Sequence, residues 1–292
     1  MPWLQATVEC ARSAAEPIED ALLHAGAVSV TLLDAKDQPI LEPGIGETPL
    51  WDAVQLLALF EAEISTSFAE RLFQEALEAP PALRWEVLED REWSREWMQH
   101  FEPIQCGDRL WICPSWKAPP NPDAVNLLLD PGLAFGTGTH PTTFLCLQWL
   151  DSQPLAGKTV LDYGCGSGIL GIAALLLGAT RVIAVDNDPQ ALIATEDNLR
   201  RNRLNPALLQ TCLPDALPAI DADITVANIL AEPLIALAPR IISHTAVGGA
   251  LCMSGILQQQ ADIVADAYRT QCNFSAAAQR EEWVRLNAIR QH

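Results

Sequence analysis

Residues 159–178 read Thr-Val-Leu-Asp-Tyr-Gly-Cys-Gly-Ser-Gly-Ile-Leu-Gly-Ile-Ala-Ala-Leu-Leu-Leu-Gly, and the fold turns on this stretch. Thr159–Tyr163 is a short run suited to a buried strand, and Ile169–Leu177 is an apolar helix that Gly178 can close. Between them Gly164, Gly166 and Gly168 occupy alternate positions. Glycines allow a tight turn and a close backbone approach to a ligand, and the start of the following helix offers unpaired N–H groups. A glycine turn can serve any strand–helix unit. This one gains direction from Asp186, which ends the next predicted strand, Arg181–Asp186, 22 positions after Gly164 (186 − 164). A carboxylate there can accept both hydroxyls of a ribose. Asp188-Pro189 instead supplies an N-cap and a first-turn proline to a helix over 189–203, so Asp188 is read as structural.

Working outward, the pattern keeps alternating. A helix is expected over Phe144–Leu150, a strand over Asp223–Asn228, a helix near Pro233–Ser243, a strand over Ala250–Ser254 and a helix over Gln258–Tyr268. Terminal strands follow near Phe274 and over Trp283–Ile289. Strands alternating with helices predict a mostly parallel, Rossmann-like α/β sheet covered on both faces, with its ligand at the carboxyl ends of the strands. Residues 106–130 read as short strands and turns, at Arg109–Cys113 and Val125–Leu129.

Residues 1–89 have a different order: strand from Trp3, helix over Glu16–Ala25, strands over Val28–Leu33 and Val54–Phe60, a helix from Ser65 to Leu77, and a strand over Leu83–Leu88. This βαββαβ order predicts a small α+β, ferredoxin-like domain. It carries no catalytic constellation, which fits a recognition or structural role. Residues 90–105 are read as a linker helix with Trp93 and Trp97 on one face, and 106–292 as the second domain.

Composition limits the choices further. The 292 residues hold 18 Lys plus Arg against 37 Asp plus Glu, a formal charge of −19, with 49% hydrophobic and 19% charged residues. These values describe a globular chain and not a disordered one. The acidic balance argues against a nucleic-acid binder, keeps a protein soluble and is compatible with a basic partner. No apolar run is long enough to span a bilayer, and the Met1-Pro2-Trp3 start lacks the features of a secretory signal. The 8 cysteines form no CxxC pair and have no histidine at zinc-finger spacing, so they are read as reduced, with no metal site and a cytoplasmic location.

Two further motifs flank the loop. Asp130–Thr143 (Asp-Pro-Gly-Leu-Ala-Phe-Gly-Thr-Gly-Thr-His-Pro-Thr-Thr) places glycines and hydroxyls before a helix, and Pro141 fits the helix start. His140 in such a turn is more simply a hydrogen-bonded structural group than a catalyst. Asn228-Ile229-Leu230-Ala231-Glu232-Pro233-Leu234 puts an Asn at a strand's carboxyl end, facing the same crevice. Its carbonyl groups can accept hydrogen bonds from an amine, or it can simply begin the Pro233 helix.

The glycine loop alone leaves two nucleoside cofactors open. Gly171 satisfies a looser dinucleotide pattern, which keeps NAD in play. The period-two glycines after Asp162 are similar to the D/ExGxGxG loop of class I S-adenosylmethionine methyltransferases. Taken with Asp130–Thr143, Asp186 and Asn228–Leu234, the chain resembles, over its whole length, the bacterial methyltransferases of the stalk-base ribosomal protein L-eleven (PrmA type). The resemblance implies S-adenosylmethionine as donor, held by Thr143, Gly164, Asp186 and Asn228, and Gly166 joins them as the second loop glycine. It also implies N-methylation of lysine side chains and the α-amine of a basic large-subunit ribosomal protein gripped by the N-terminal domain. Asn228 is the residue expected to place the amine. A monomer with no nucleic-acid or membrane partner is expected. Other readings stay open at this point: methylation of a nucleic acid, another protein or a small amine on the same fold, or a non-catalytic module that binds a ribosomal protein.

Overall fold

The computed structural model describes residues 3–36, 38, 49–88, 101–130 and 138–292. The chain divides into two compact units, Met1–Met98 and Gln99–His292. The connector expected at 90–105, with Trp93 and Trp97, falls largely outside the described residues.

The smaller unit runs β1 (Trp3–Ala11), α1 (Arg12–His24), β2 (Ser29–Asp34), β3 (Ala53–Glu61), α2 (Thr66–Glu75) and β4 (Arg84–Leu88). Its antiparallel sheet has the order β2-β3-β1-β4, the ferredoxin-like arrangement read from the sequence. Alternation on β3 buries Val54, Leu56, Ala58 and Phe60 against α1 and α2, where Ile18, Leu22, Ala69 and Phe73 complete the core. Helix α1 begins earlier than apolar spacing indicates, because its first turn, Arg12-Ser13-Ala14, holds no large apolar residue and carries little periodic signal.

The larger unit opens with a three-stranded sheet of β5 (Ile104–Gln105), β6 (Leu110–Cys113) and β7 (Val125–Leu128). It leans on α3 (Pro141–Ser152), whose Asp151 accepts the backbone N–H groups of Asp108 (2.7 Å) and Arg109 (3.1 Å). The main sheet then adds β8 (Thr159–Tyr163), α4 (Ile169–Leu176), β9 (Arg181–Val185), α5 (Pro189–Arg201), β10 (Leu209–Cys212) and β11 (Ala222–Asn228). After these come α6 (Ala231–Ala236), α7 (Ala238–Ser243), β12 (Thr245–Leu257), α8 (Ala261–Tyr268), β13 (Cys272–Phe274), β14 (Ala278–Arg280) and β15 (Trp283–Arg290). The order is β10-β9-β8-β11-β12-β15-β13, parallel from β10 to β12 and antiparallel beyond.

The strands are apolar on both faces, so each face holds a core. Val160, Val182 and Ala184 pack with residues of α3, α4 and α5, while Leu161, Ile183 and Val185 pack with residues of α6, α7 and α8. The sequence pattern left β10 unread, because a four-residue edge strand gives too few positions for a period. The single helix expected near Pro233–Ser243 is two helices meeting at Leu237, since Pro239 has no N–H to continue the first one's ladder. All 8 cysteines are free, and all but Cys10 are buried.

Candidate active site

The carboxyl ends of β8, β9 and β11 lie side by side in the parallel sheet, and the glycine loop, Asp186 and Asn228 follow from that register. Gly164, Gly166 and Gly168 all have positive φ (78°, 53° and 76°), the left-handed region in which only glycine is unstrained. The loop folds back on its neighbour, with the N–H groups of Gly164 and Cys165 both donating to the Val185 carbonyl (2.7 and 3.0 Å). A Cβ on Gly164 would overlap the Ile229 side chain, so the loop needs a bare backbone beneath the residue that follows Asn228.

Asp186 sits just beyond β9. Its Oδ2 accepts the Gly166 N–H at 2.9 Å, and its Oδ1 accepts the Asp188 N–H at 3.0 Å. Each carboxylate oxygen keeps lone-pair capacity for a ribose hydroxyl. The Gly166 bond adds a second task that sequence reading did not find, tying the acid to the loop. Asp188 caps α5, accepting the Gln190 N–H at 2.9 Å ahead of Pro189, as its sequence position indicates.

Asn228 ends β11 and reaches α3, where its Nδ2 donates to the buried Thr143 hydroxyl at 3.2 Å. The Thr143 oxygen accepts here, which leaves its own hydrogen to donate. Asn228 Oδ1 is buried and has no partner among the described residues. A buried amide oxygen left unpaired is costly, so this atom fits a ligand or substrate N–H. Thus Thr143 meets Asn228, Gly164 packs beneath Ile229, and Gly166 meets Asp186: the five residues picked from sequence form one connected cluster.

His140 is the N-cap of α3. Its Nδ1 accepts the Thr142 N–H at 3.4 Å and lies 2.8 Å from the Thr142 hydroxyl, and its ring makes an edge contact with Trp283 at 5.0 Å. Burial holds its pKa below the ordinary imidazole value, with Glu281 pulling weakly the other way. These contacts make it the structural cap of α3, the helix that carries Thr143. Of the Asp130–Thr143 motif, residues 131–137 lie outside the described residues. Asp130 accepts from the Ser115 N–H (2.7 Å) and hydroxyl (2.8 Å).

Asp162 is fully buried at the foot of the loop. Burial pushes its pKa up to about 7, against the Gly171 N–H that donates to it at 2.8 Å and with the Asp186 charge. Gly171 has a packing reason, since a Cβ there would lie 2.8 Å from Val182 and 3.1 Å from the Asp162 carboxylate. Its place in a dinucleotide-like pattern reflects this close helix–strand approach, which both kinds of nucleoside site require.

The family described as "Ribosomal protein L11 methyltransferase (PrmA)" matches residues 2–291. The chain belongs to this family. Curated relatives bearing that name include proteins of Cellvibrio japonicus, 58% identical over 99% of both chains, and Pseudomonas paraeruginosa, 54% identical over 99% of both. The crystal structure of a ribosomal protein L11 methylase from Lactobacillus delbrueckii subsp. bulgaricus is 34% identical, with a TM-score of 0.60 over 66% of this chain and 100% of that one. The chain is therefore an S-adenosylmethionine-dependent methyltransferase with a Rossmann-like class I fold. This decides between the two nucleoside cofactors that the glycine loop leaves open. Among the described residues no helix is long and apolar enough to cross a membrane.

Proposed function

We propose that this enzyme methylates amines of a large-subunit ribosomal protein, the L-eleven protein of the stalk base, at lysine side chains and the α-amine. The observation that carries the reading is the match to relatives named for that substrate along essentially the full length of both chains. Thr143, Gly164, Gly166, Asp186 and Asn228 bind the donor, with Asp186 on the ribose and Asn228 and Thr143 beside the reactive end. When bound, S-adenosylmethionine supplies a sulfonium methyl group for in-line transfer to an amine lone pair.

The amine must arrive neutral. A free lysine has a pKa of about 10.4, so deprotonation near pH 7 costs about 4.6 kcal/mol. Burial of the amine in the crevice lowers that cost. Asn228 Oδ1 is placed to accept one amine hydrogen and turn the lone pair away from itself. We assign no dedicated base among the described residues of the cluster, and in this reading solvent takes the proton.

The substrate-recognition domain is the smaller unit, expected over 1–89, and the methyltransferase domain starts with β5 at Ile104, inside the connector expected over 90–105 and ahead of the expected 106. The charge distribution fits a recognition role for the smaller unit. Met1–Met98 holds 19 of the 37 acidic residues against 6 of the 18 basic ones, a net −13 of the −19 total. A third of the chain thus carries most of the field that would attract a basic partner. The enzyme works as a cytoplasmic monomer. Labelled methyl transfer to purified ribosomal proteins tests the assignment: label should enter this one protein. Stoichiometric binding of S-adenosylhomocysteine with no labelled ribosomal protein would overturn it.

A further inference from the structure

The cofactor loop is held from behind by two buried polar side chains of α5. Thr195 is fully buried and Asn198 nearly so, among the apolar residues Ala191 and Leu199 that face the core. The Thr195 hydroxyl donates to the Gly166 carbonyl at 3.1 Å, and Asn198 Nδ2 donates to the next carbonyl, that of Ser167, at 2.9 Å. The two side chains are three positions apart on one helix face and take consecutive carbonyls of the loop.

Each donor is itself fixed. A hydroxyl has one hydrogen, and Thr195 gives it to Gly166, so the Cys165 thiol at 3.4 Å donates to the Thr195 oxygen. Burial drives the Cys165 pKa up strongly, which keeps that thiol protonated. Asn198 Oδ1 accepts from Arg201 Nη1 at 2.6 Å, which sets the amide with Nδ2 toward the loop. The fit is also steric, since a Cβ on Gly168 would lie 2.6 Å from Thr195 Cγ2.

From this geometry we propose that Thr195 and Asn198 are positioning residues for donor binding, holding the Gly166 and Ser167 carbonyls toward α5. With those carbonyls turned back, the Gly166–Ser167 peptide is fixed directly after the Cys165–Gly166 peptide, whose N–H meets Asp186. Helix α5 begins three residues after that acid, and its N-cap Asp188 donates its N–H to it, so a single element bears on both the acid and the loop. Without the hydroxyl, the Gly166–Ser167 peptide gains rotational freedom, and the ligand must order it on binding. The proposal rests on the assignment of this cluster as the donor site and is independent of the protein that accepts the methyl group.

The test compares Thr195→Val, which keeps the shape and removes the hydroxyl, with Thr195→Ser, which keeps the hydroxyl. Calorimetric titration with S-adenosylhomocysteine should show affinity about tenfold weaker for Thr195→Val and within about twofold of wild type for Thr195→Ser. In turnover, KM for the donor should rise by a similar factor while kcat at saturating donor is retained. Asn198→Leu gives a second variant with the same expected direction. A Thr195→Val protein that melts lower but binds S-adenosylhomocysteine as tightly as wild type would overturn the proposal, because the residue would then be core packing alone. Equal weakening in Thr195→Val and Thr195→Ser would also overturn it. Failure to methylate any ribosomal protein, with this binding pattern intact, would count against the substrate assignment only.

Discussion

Asp162→Asn should stabilise the larger unit, and increasingly so as the pH rises. Asp162 is fully buried, with one oxygen on the Gly171 N–H at 2.8 Å and the other without a partner among the described residues. Burial raises its pKa from the ordinary 3.8 to about 7. The folded protein therefore keeps a proton that the unfolded chain releases near pH 4. In that window the folded state binds more protons, so the contribution to stability is full below the unfolded value and is lost as pH climbs to the folded value. Between about pH 5 and the folded pKa lie about 2 units, and at about 1.4 kcal/mol per unit the loss between pH 5 and 8 is about 3 kcal/mol. Asparagine has the same shape and no charge, so the difference between variant and wild type isolates this titration. Urea unfolding, read by hydrogen exchange at the β8 amides, follows only the unit that holds Asp162. The advantage of the variant should grow by about 3 kcal/mol across that range. A difference constant to within about 0.5 kcal/mol would refute the argument, because Asp162 would then titrate alike in both states.

Asn228→Ala should lower kcat at saturating donor about tenfold or more, as well as weaken donor binding; unchanged turnover at saturation would remove its role in placing the amine. Gly164→Ala must both adopt a φ of 78° and overlap Ile229, so affinity for S-adenosylhomocysteine should fall more than about tenfold by calorimetry. His140→Ala removes the cap of α3 and should cost about 1 kcal/mol in denaturant melts, with donor affinity falling through Thr143 rather than through lost chemistry. Raising salt from about 0.05 to 0.5 M should raise KM for the ribosomal protein severalfold and leave KM for the donor unchanged, since the first interaction is long-range and the second is enclosed.

The features legible in the sequence were those with a period or a fixed spacing. Three glycines at alternate positions after an apolar run, with an acid closing the next strand, placed the loop, β8, α4 and Asp186 nearly residue by residue. The five expected site residues could be chosen because each stands at the end of a strand or the start of a helix. Which of them touch depended on long-range register. Thr143 and Asn228 are 85 positions apart, and only the packing of α3 beside β11 brings them together. Thr195 and Asn198 did leave a trace, as polar residues on the face of an amphipathic helix that should be apolar. That trace becomes informative only once the loop carbonyls opposite them are known. Edge strand β10 and the break at Leu237 were missed because short elements are set by their neighbours rather than by their own pattern.

The most direct test of the account is mass spectrometry of the purified ribosomal protein after incubation with this enzyme and S-adenosylmethionine. The account predicts mass gains of whole methyl groups on lysine side chains and the α-amine, abolished or strongly reduced with Asn228→Ala at saturating donor. An unmodified ribosomal protein in the presence of an enzyme that binds S-adenosylhomocysteine stoichiometrically would contradict it.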